Sequence, residues 1–350
     1  MHTMGRVLSR NLQFLFLFAS LNMGLPAIAW AAQDEGTLSL PIVCEPGQTC
    51  WVPNYVDHKP GPGVLDYTCG DATYDAAPGG MHKGTDFAVR DMAAVRQGIA
   101  VVAAAPGVVL GLRDGVPDIV YSNQNGASVE NKECGNGVRL AHKDALTTQY
   151  CHLRNGSVRV KAGERVERGQ VLGLVGLSGM TEFPHLHFQV AKDKKILDPF
   201  TGIDRKNDCG VGEHALWDAQ ALAKITYQPT AIYHIGFAPG KPSRVGIRGG
   251  QYGGRTLPPS APAMVLWAEF FRVRTNDEIH MTITGPNGQR IHQNVLKIEA
   301  DKAYYYAFSG VRLKVPAWPT GTYIGDVTLN RQGKLISARQ SIQVQTIQVQ

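Results

Sequence analysis

His82-Lys83-Gly84-Thr85-Asp86-Phe87-Ala88-Val89 is answered, further along the chain, by Pro184-His185-Leu186-His187-Phe188-Gln189-Val190. In a strand, side chains alternate between faces, so residues two or four apart project the same way. If both stretches are extended, His82 with Asp86 form one same-face pair and His185 with His187 form another. Their flanks read as strand, either by alternation or as short buried apolar runs. Two such pairs on neighbouring strands could set two or three imidazole and carboxylate ligands around one metal ion. The pattern predicts a zinc hydrolase built on β-sheet.

Working outward, 350 residues exceed one typical domain, so two folded units and a leader are expected. The 39 Gly and 20 Pro favour a mainly β chain of short strands joined by turns over a helical protein. At the N-terminus, Arg6 and Arg10 precede an apolar run from Leu12 to Trp30 that closes on Ala29, Ala31 and Ala32. These features predict a secretory signal peptide over residues 1–32, cut near Ala31 or Ala32. Asn22, Gly24 and Pro26 interrupt the run, which argues against a retained membrane anchor. No later stretch is long and apolar enough to span a bilayer. The mature chain is therefore expected to be exported, to the periplasm or the medium.

Six cysteines follow the leader: Cys44, Cys50, Cys69, Cys134, Cys151 and Cys209. An even count in an exported chain points to disulfides, and six allow about fifteen pairings. Local closure favours Cys44 with Cys50 across Pro46-Gly47, and Cys134 with Cys151 flanking a hairpin, which leaves Cys69 with Cys209. No close Cys-x-x-Cys pair offers a thiolate zinc site.

Residues 33–80 form a Pro-, Gly- and Asp-rich lead-in with little periodicity, in which His58 reads as a surface loop histidine. Strands are expected over Ala100–Ala105 and Gly107–Leu112, then a long loop from Arg113 to Gly135. A hairpin follows, from Gly137–His142 to Leu146–Leu153. Gly163, Gly169, Gly173 and Gly176 punctuate tight turns. A short helix is expected over Glu213–Ile225, within a linker at 211–225 packed between two domains. Beyond Thr226 there are no cysteines, and short strands, expected over Met264–Trp267, His280–Thr284, Tyr304–Phe308, Tyr323–Leu329 and Ile336–Val344, recur between turns such as Gly285-Pro286-Asn287-Gly288. That spacing predicts an immunoglobulin-like β-sandwich over 226–350, behind an antiparallel β-sheet peptidase domain over 33–210. Residues 241–350 carry 14 Lys or Arg against 6 Asp or Glu, a net of +8, while the whole chain carries +6. A basic second domain suits anionic envelope polymers, or it merely keeps the protein soluble. No nucleic-acid motif is present.

A catalytic zinc site needs three protein ligands and an open position, yet five groups converge here once His152 in Tyr150-Cys151-His152-Leu153 is counted. Two of the five should then do acid/base or charge-stabilising work. His-x-x-x-Asp, Tyr-x-His-Leu and His-Leu-His-Phe, with the Gly-rich runs from Val160 to Gln170 and Gly173 to Gly179, resemble the lysostaphin/LytM-type zinc endopeptidases (peptidase family M twenty-three). The resemblance covers about residues 80–200. It implies Zn2+ held by His82, Asp86 and His187, with His152 and His185 as the catalytic pair. It implies amide hydrolysis in the peptide crosslinks of bacterial peptidoglycan. The cysteines resemble those of an exported bacterial subgroup. The rival reading is a latent or inactive zinc-binding regulator of other cell-wall hydrolases, although every ligand position is filled. His142, His214, His234, His280 and His292 read as structural. The glycine turns also resemble biotinyl or lipoyl hairpins, but Gly163-Glu164-Arg165 lacks the lysine these need.

Overall fold

Leu186, Phe188 and Val190 alternate with His185, His187 and Gln189, and the apolar set lies fully buried in the first of two large cores. The computed structural model describes residues 37–76, 80–122, 129–202 and 209–345. The expected signal peptide over 1–32 lies outside them. The strands up to residue 200 are β1 (Cys50–Asn54), β2 (Asp75–Ala76), β3 (Gly80–Met81), β4 (Thr85–Val89), β5 (Ala100–Val102) and β6 (Gly107–Arg113), followed by β7 (Asn136–Ala141), β8 (Leu146–Leu153), β9 (Arg165–Val166), β10 (Val171–Leu174), β11 (His185–Lys192) and β12 (Lys195–Leu197). The chain is mainly β, and these strands pair antiparallel throughout. One eight-stranded sheet runs β1-β4-β11-β8-β7-β6-β9, with β12 on the far half of β11. The order matters for function, because it seats β11 between β4 and β8. His187 then lies opposite Asp86 on one side and Cys151 on the other.

The core beneath this sheet gathers Phe87, Leu140, Tyr150, Leu153, Leu186 and Phe188 with Phe200 and Trp217. Each fully buried large side chain contributes about 1.5–3 kcal/mol relative to exposure. The expected helix is confined to Ala219–Lys224, capped by Asp218, whose side chain accepts from the Ala221 amide. It does not sit between domains. Trp217, Ala221 and Ile225 belong to the first core, and Leu38 pairs with Trp217. All three disulfides have the pairing that loop closure suggested: Cys44–Cys50, Cys69–Cys209 and Cys134–Cys151. Cys69–Cys209 joins residues 140 apart and ties the lead-in to the end of this region. A bridge over so long a loop is worth about 3–5 kcal/mol in the chain-entropy account.

The later strands are β13 (Ala231–Ala238), β14 (Thr256–Leu257), β15 (Ala263–Val273), β16 (Glu278–Thr284), β17 (Arg290–Lys297), β18 (Lys302–Arg312), β19 (Gly321–Arg331) and β20 (Lys334–Val344). They form a three-stranded sheet, β13-β15-β18, and a five-stranded sheet, β14-β20-β19-β16-β17, antiparallel except for the short β14–β20 pair. Both sheets feed the second core, where Leu266 and Phe270 meet Met281, Tyr323 and Val327. A smaller cluster bridges the two halves: Trp51 and Ala88 pack against Tyr233 and Phe271, with Tyr233 stacked on Phe271 at 4.1 Å. Among the described residues, no helix is long and apolar enough to cross a membrane.

Candidate metal centre

Asp86 and His187 face each other across the β4–β11 ladder, so their side chains share one face of the sheet. His82 arrives differently from expectation. It is not on one extended strand with Asp86, because β3 ends at Met81 and the chain bends through Lys83 and Gly84 before β4 begins. The turn is nevertheless well anchored. The His82 carbonyl accepts from the Asp57 amide at 2.8 Å, and His82 Nδ1 lies 2.7 Å from the Tyr55 carbonyl. Donation from Nδ1 to that carbonyl leaves the Nε2 lone pair facing inward.

The three inward atoms converge tightly. His82 Nε2 is 3.2 Å from Asp86 Oδ1 and 3.2 Å from His187 Nδ1, and His187 Nδ1 is 2.9 Å from Asp86 Oδ1. Tetrahedral zinc with bonds of about 2.0–2.2 Å sets neighbouring donor atoms about 3.3 Å apart. The geometry and the donor chemistry, two imidazole nitrogens and one carboxylate oxygen, both suit that ion. Among the described residues, this is the one such cluster of three.

His185 and His152 complete the surroundings. His185 Nδ1 sits 2.9 Å from the Phe183 carbonyl, and its Nε2 sits 3.4 Å from Asp86 Oδ1, so both nitrogens face acceptors. Phe183 stacks on its ring at 4.5 Å. His152, near the end of β8, has φ +63, a backbone conformation that a non-glycine residue adopts only when its surroundings impose it. Its amide donates to the Cys134 carbonyl and its own carbonyl accepts from Gly176. Its Nδ1 is 2.8 Å from the Ser178 carbonyl, which again turns Nε2 inward. The His152 and His185 ring centroids are 4.6 Å apart.

The electrostatics sort these groups. Asp86 is buried, but the adjacent His82 and His185 outweigh that burial and hold its carboxyl well below the usual carboxylate range. Burial also opposes a charge on His82, yet Asp86 beside it prevails and raises the imidazole. Burial, reinforced by His185 and His187, pushes His152 well below the ordinary imidazole value, and burial lowers His187 as well. His152 is therefore neutral near pH 7.

Beside these groups lies a groove of about 450 Å³ that reaches His82, His152 and His187. Lys83, Glu133, Gln149 and Gln189 line it, and Cys134 and Cys151 form part of its wall. Tyr74 stacks on His82 at 4.4 Å from the rim. Tyr74 carried no signal in the sequence because it sits in the aperiodic lead-in, and from the same segment Asn54 Nδ2 donates to Asp86 Oδ2 at 2.9 Å. Ser178 could have been found from the Gly173–Gly179 run. A Cβ at Gly176 would lie 2.3 Å from the Arg154 amide nitrogen, so Gly176 serves close approach to the chain leaving β8. His58 is not a surface loop histidine: its side chain is 10% exposed and pairs with Asp198 at 2.7 Å, because the Cys-tied lead-in packs onto the sheet. His142, expected to be structural, bonds the Pro106 carbonyl and Thr148.

Gly84 has a specific steric role. A Cβ there would lie 2.6 Å from the Phe188 carbonyl oxygen and 2.7 Å from His187 Cε1 and Nε2. Gly84→Ala is expected to push the His187 ring away from Asp86 and weaken zinc binding about 10–100-fold, as lost support around a ligand does. Competition with a chromophoric chelator measures this, and unchanged affinity would show that the turn yields freely.

Residues 80–199 match the profile described as peptidase family M23. Lysostaphin of Staphylococcus simulans is 32% identical over 140 residues, 40% of this chain and 22% of that protein. Peptidoglycan DD-endopeptidase ShyA of Vibrio cholerae is 35% identical over 92 residues, 25% of this chain and 20% of that protein. Among solved structures, the catalytic domain of lysostaphin is 26% identical and covers 41% of this chain and 89% of its own, with a TM-score of 0.27. The chain spans between 20% and 25% of the length of the first curated relatives it matches. Over residues 80–199, about a third of the chain, the sequence is similar to peptidase family M23, of the lysostaphin/LytM type.

Proposed function

We propose that this protein is a zinc-dependent endopeptidase that hydrolyses the peptide crosslinks of bacterial peptidoglycan. The observation that carries the reading is the convergence of His82 Nε2, Asp86 Oδ1 and His187 Nδ1 within 3.2 Å, with two further histidines at their edge. His82, Asp86 and His187 would hold the zinc. When bound there, it supplies a Lewis acid that polarises a carbonyl and lowers the pKa of water from about 16 to near 7. The other steps fall to the protein's own groups. His152, neutral and with Nδ1–H committed to Ser178, takes a proton at Nε2 and passes it to the leaving amine. His185, with both nitrogens against acceptors, is placed to donate toward negative charge growing beside Asp86. Lys83, Glu133 and the two glutamines offer an extended peptide both charges and amide partners along the groove.

The substrate assignment rests on the relatives, two of which are named a peptidoglycan DD-endopeptidase and a glycyl-glycine endopeptidase. We assign the peptidase domain to 33–210 and an accessory β-sandwich to 226–350, joined by the short helical segment at 211–225. The accessory half's positive charge favours anionic envelope polymers. Three disulfides fit an exported protein, periplasmic or secreted.

Purified peptidoglycan incubated with the mature protein should release un-crosslinked peptides, identified by mass, and a chelator should stop the release. Stoichiometric zinc without any release would reject the endopeptidase in favour of a regulator of other wall hydrolases.

A further inference from the structure

Arg272 belongs to β15, in the second half of the chain, yet its side chain ends beside the metal centre of the first. The strand's alternation explains how. Met264, Leu266, Ala268 and Phe270 point into the second core, but the next core residue is Val273, so the phase slips by one at Arg272. Arg272 has φ +47, the backbone irregularity that accompanies the slip, and its carbonyl is held by Arg331 at 2.8 Å. Arg331 is itself paired with Asp277 at 2.7 Å. The Arg272 guanidinium is thereby re-aimed across the boundary, where it is 7% exposed. It donates to the Pro53 carbonyl at 3.2 Å, the Thr73 carbonyl at 2.9 Å and Asn54 Oδ1 at 2.7 Å.

The last of these contacts has chemical direction. A guanidinium only donates, so the Asn54 amide oxygen must face it, and the amide NH2 must then face the other way. That NH2 donates to Asp86 Oδ2 at 2.9 Å, and Asn54 lies opposite Asp86 in the β1–β4 register. With Oδ2 occupied, Asp86 presents Oδ1 to His82 and His187.

We infer that Arg272 is a positioning residue for the metal centre: it locks the Asn54 amide, and the amide fixes which carboxylate oxygen Asp86 turns to the metal. The inference rests on His82, Asp86 and His187 being the zinc ligands. It makes the second half of the chain a working part of the site rather than only a module that binds wall polymers. A surface cation that merely glued the halves together would stabilise the fold without touching zinc affinity.

The test measures the zinc dissociation constant of the full chain by chelator competition, alongside thermal unfolding. Arg272→Met should weaken zinc about tenfold or more, the range for outer support around a ligand. Asn54→Leu should weaken it equally, and the double variant no further, because both act through one contact. Arg274→Met is the control. Arg274 crosses the same boundary, but its guanidinium bonds Asp71 and Asp301 rather than Asn54. It should lower the unfolding temperature and leave zinc affinity within about twofold, as an exposed ion pair would. If Arg272→Met does not fold, Arg272→Lys keeps the buried cation but cannot reproduce the guanidinium's three directed bonds, and severalfold weaker zinc is expected. Wild-type affinity in a folded Arg272 variant, or additive losses in the double variant, overturns the positioning role while leaving the zinc site intact. A wild-type protein that binds no zinc overturns both.

Discussion

His187→Ala is expected to emerge from purification nearly free of zinc and without detectable hydrolysis of peptidoglycan. In the proposed site three donors would hold the ion, and removing one leaves two neighbouring groups that cannot enclose it. The loss should exceed the about 10–100-fold expected for a supporting contact, because a direct bond to the metal is gone. The variant should still fold. Leu186 and Phe188, on either side of position 187, face the core and are untouched, and the imidazole is on the opposite face. Its removal also relieves crowding, since His187 lies against Gly84, Asp86 and His82. Elemental analysis of dialysed protein decides the matter. Wild-type zinc content would remove His187 from the ligand set, whatever became of activity.

Much of this site was legible because strands impose period two. The alternation through His185–Val190 put two histidines on one face, and pairing with β4 brought Asp86 to them, whereas β8 sets Cys151 opposite His187 and His152 reaches the site only through its irregular backbone at φ +63. His82 was identified for a reason that does not hold, since the chain turns at Gly84 rather than running extended. The convergence there comes from bonds to Tyr55 and Asp57, which no local pattern encodes. Arg272 was invisible for the same reason: it depends on partners far along the chain, and it also breaks its strand's alternation. In the second half, β15, β16, β18, β19 and β20 show through their buried faces and turns. β17 did not, because it is an edge strand whose Arg290–Lys297 sequence is mostly polar and largely exposed. β13 was missed because Ala231–Ala238 is covered on both faces and reads as a continuous run. Spacing suggested the disulfides without singling them out among about fifteen pairings, as nearby cysteines close first and leave one long-range pair.

His152→Ala is expected to bind zinc close to normally while turnover falls about 10²–10⁴-fold, the contribution of a positioned acid/base group. The geometry separates it from the ligands. His152 is not among the three converging donors, and its ring centroid is 6.0 Å from that of His187. What it has instead is preparation for proton transfer. The Ser178 carbonyl fixes the tautomer, burial keeps the ring neutral, and the Cys134 carbonyl and Gly176 amide hold its backbone at φ +63. A folded state does not retain such a conformation without compensation, and nothing in the packing of the core requires an imidazole here. His185→Ala gives the useful contrast. His185 Nε2 touches Asp86 Oδ1 at 3.4 Å, so its loss should cost turnover and also loosen zinc somewhat. Loss of zinc in His152→Ala would move that residue into the ligand set, and near-wild-type turnover would leave the proton transfer to His185. Turnover lost with zinc retained is the combination that a proton carrier produces and a ligand does not.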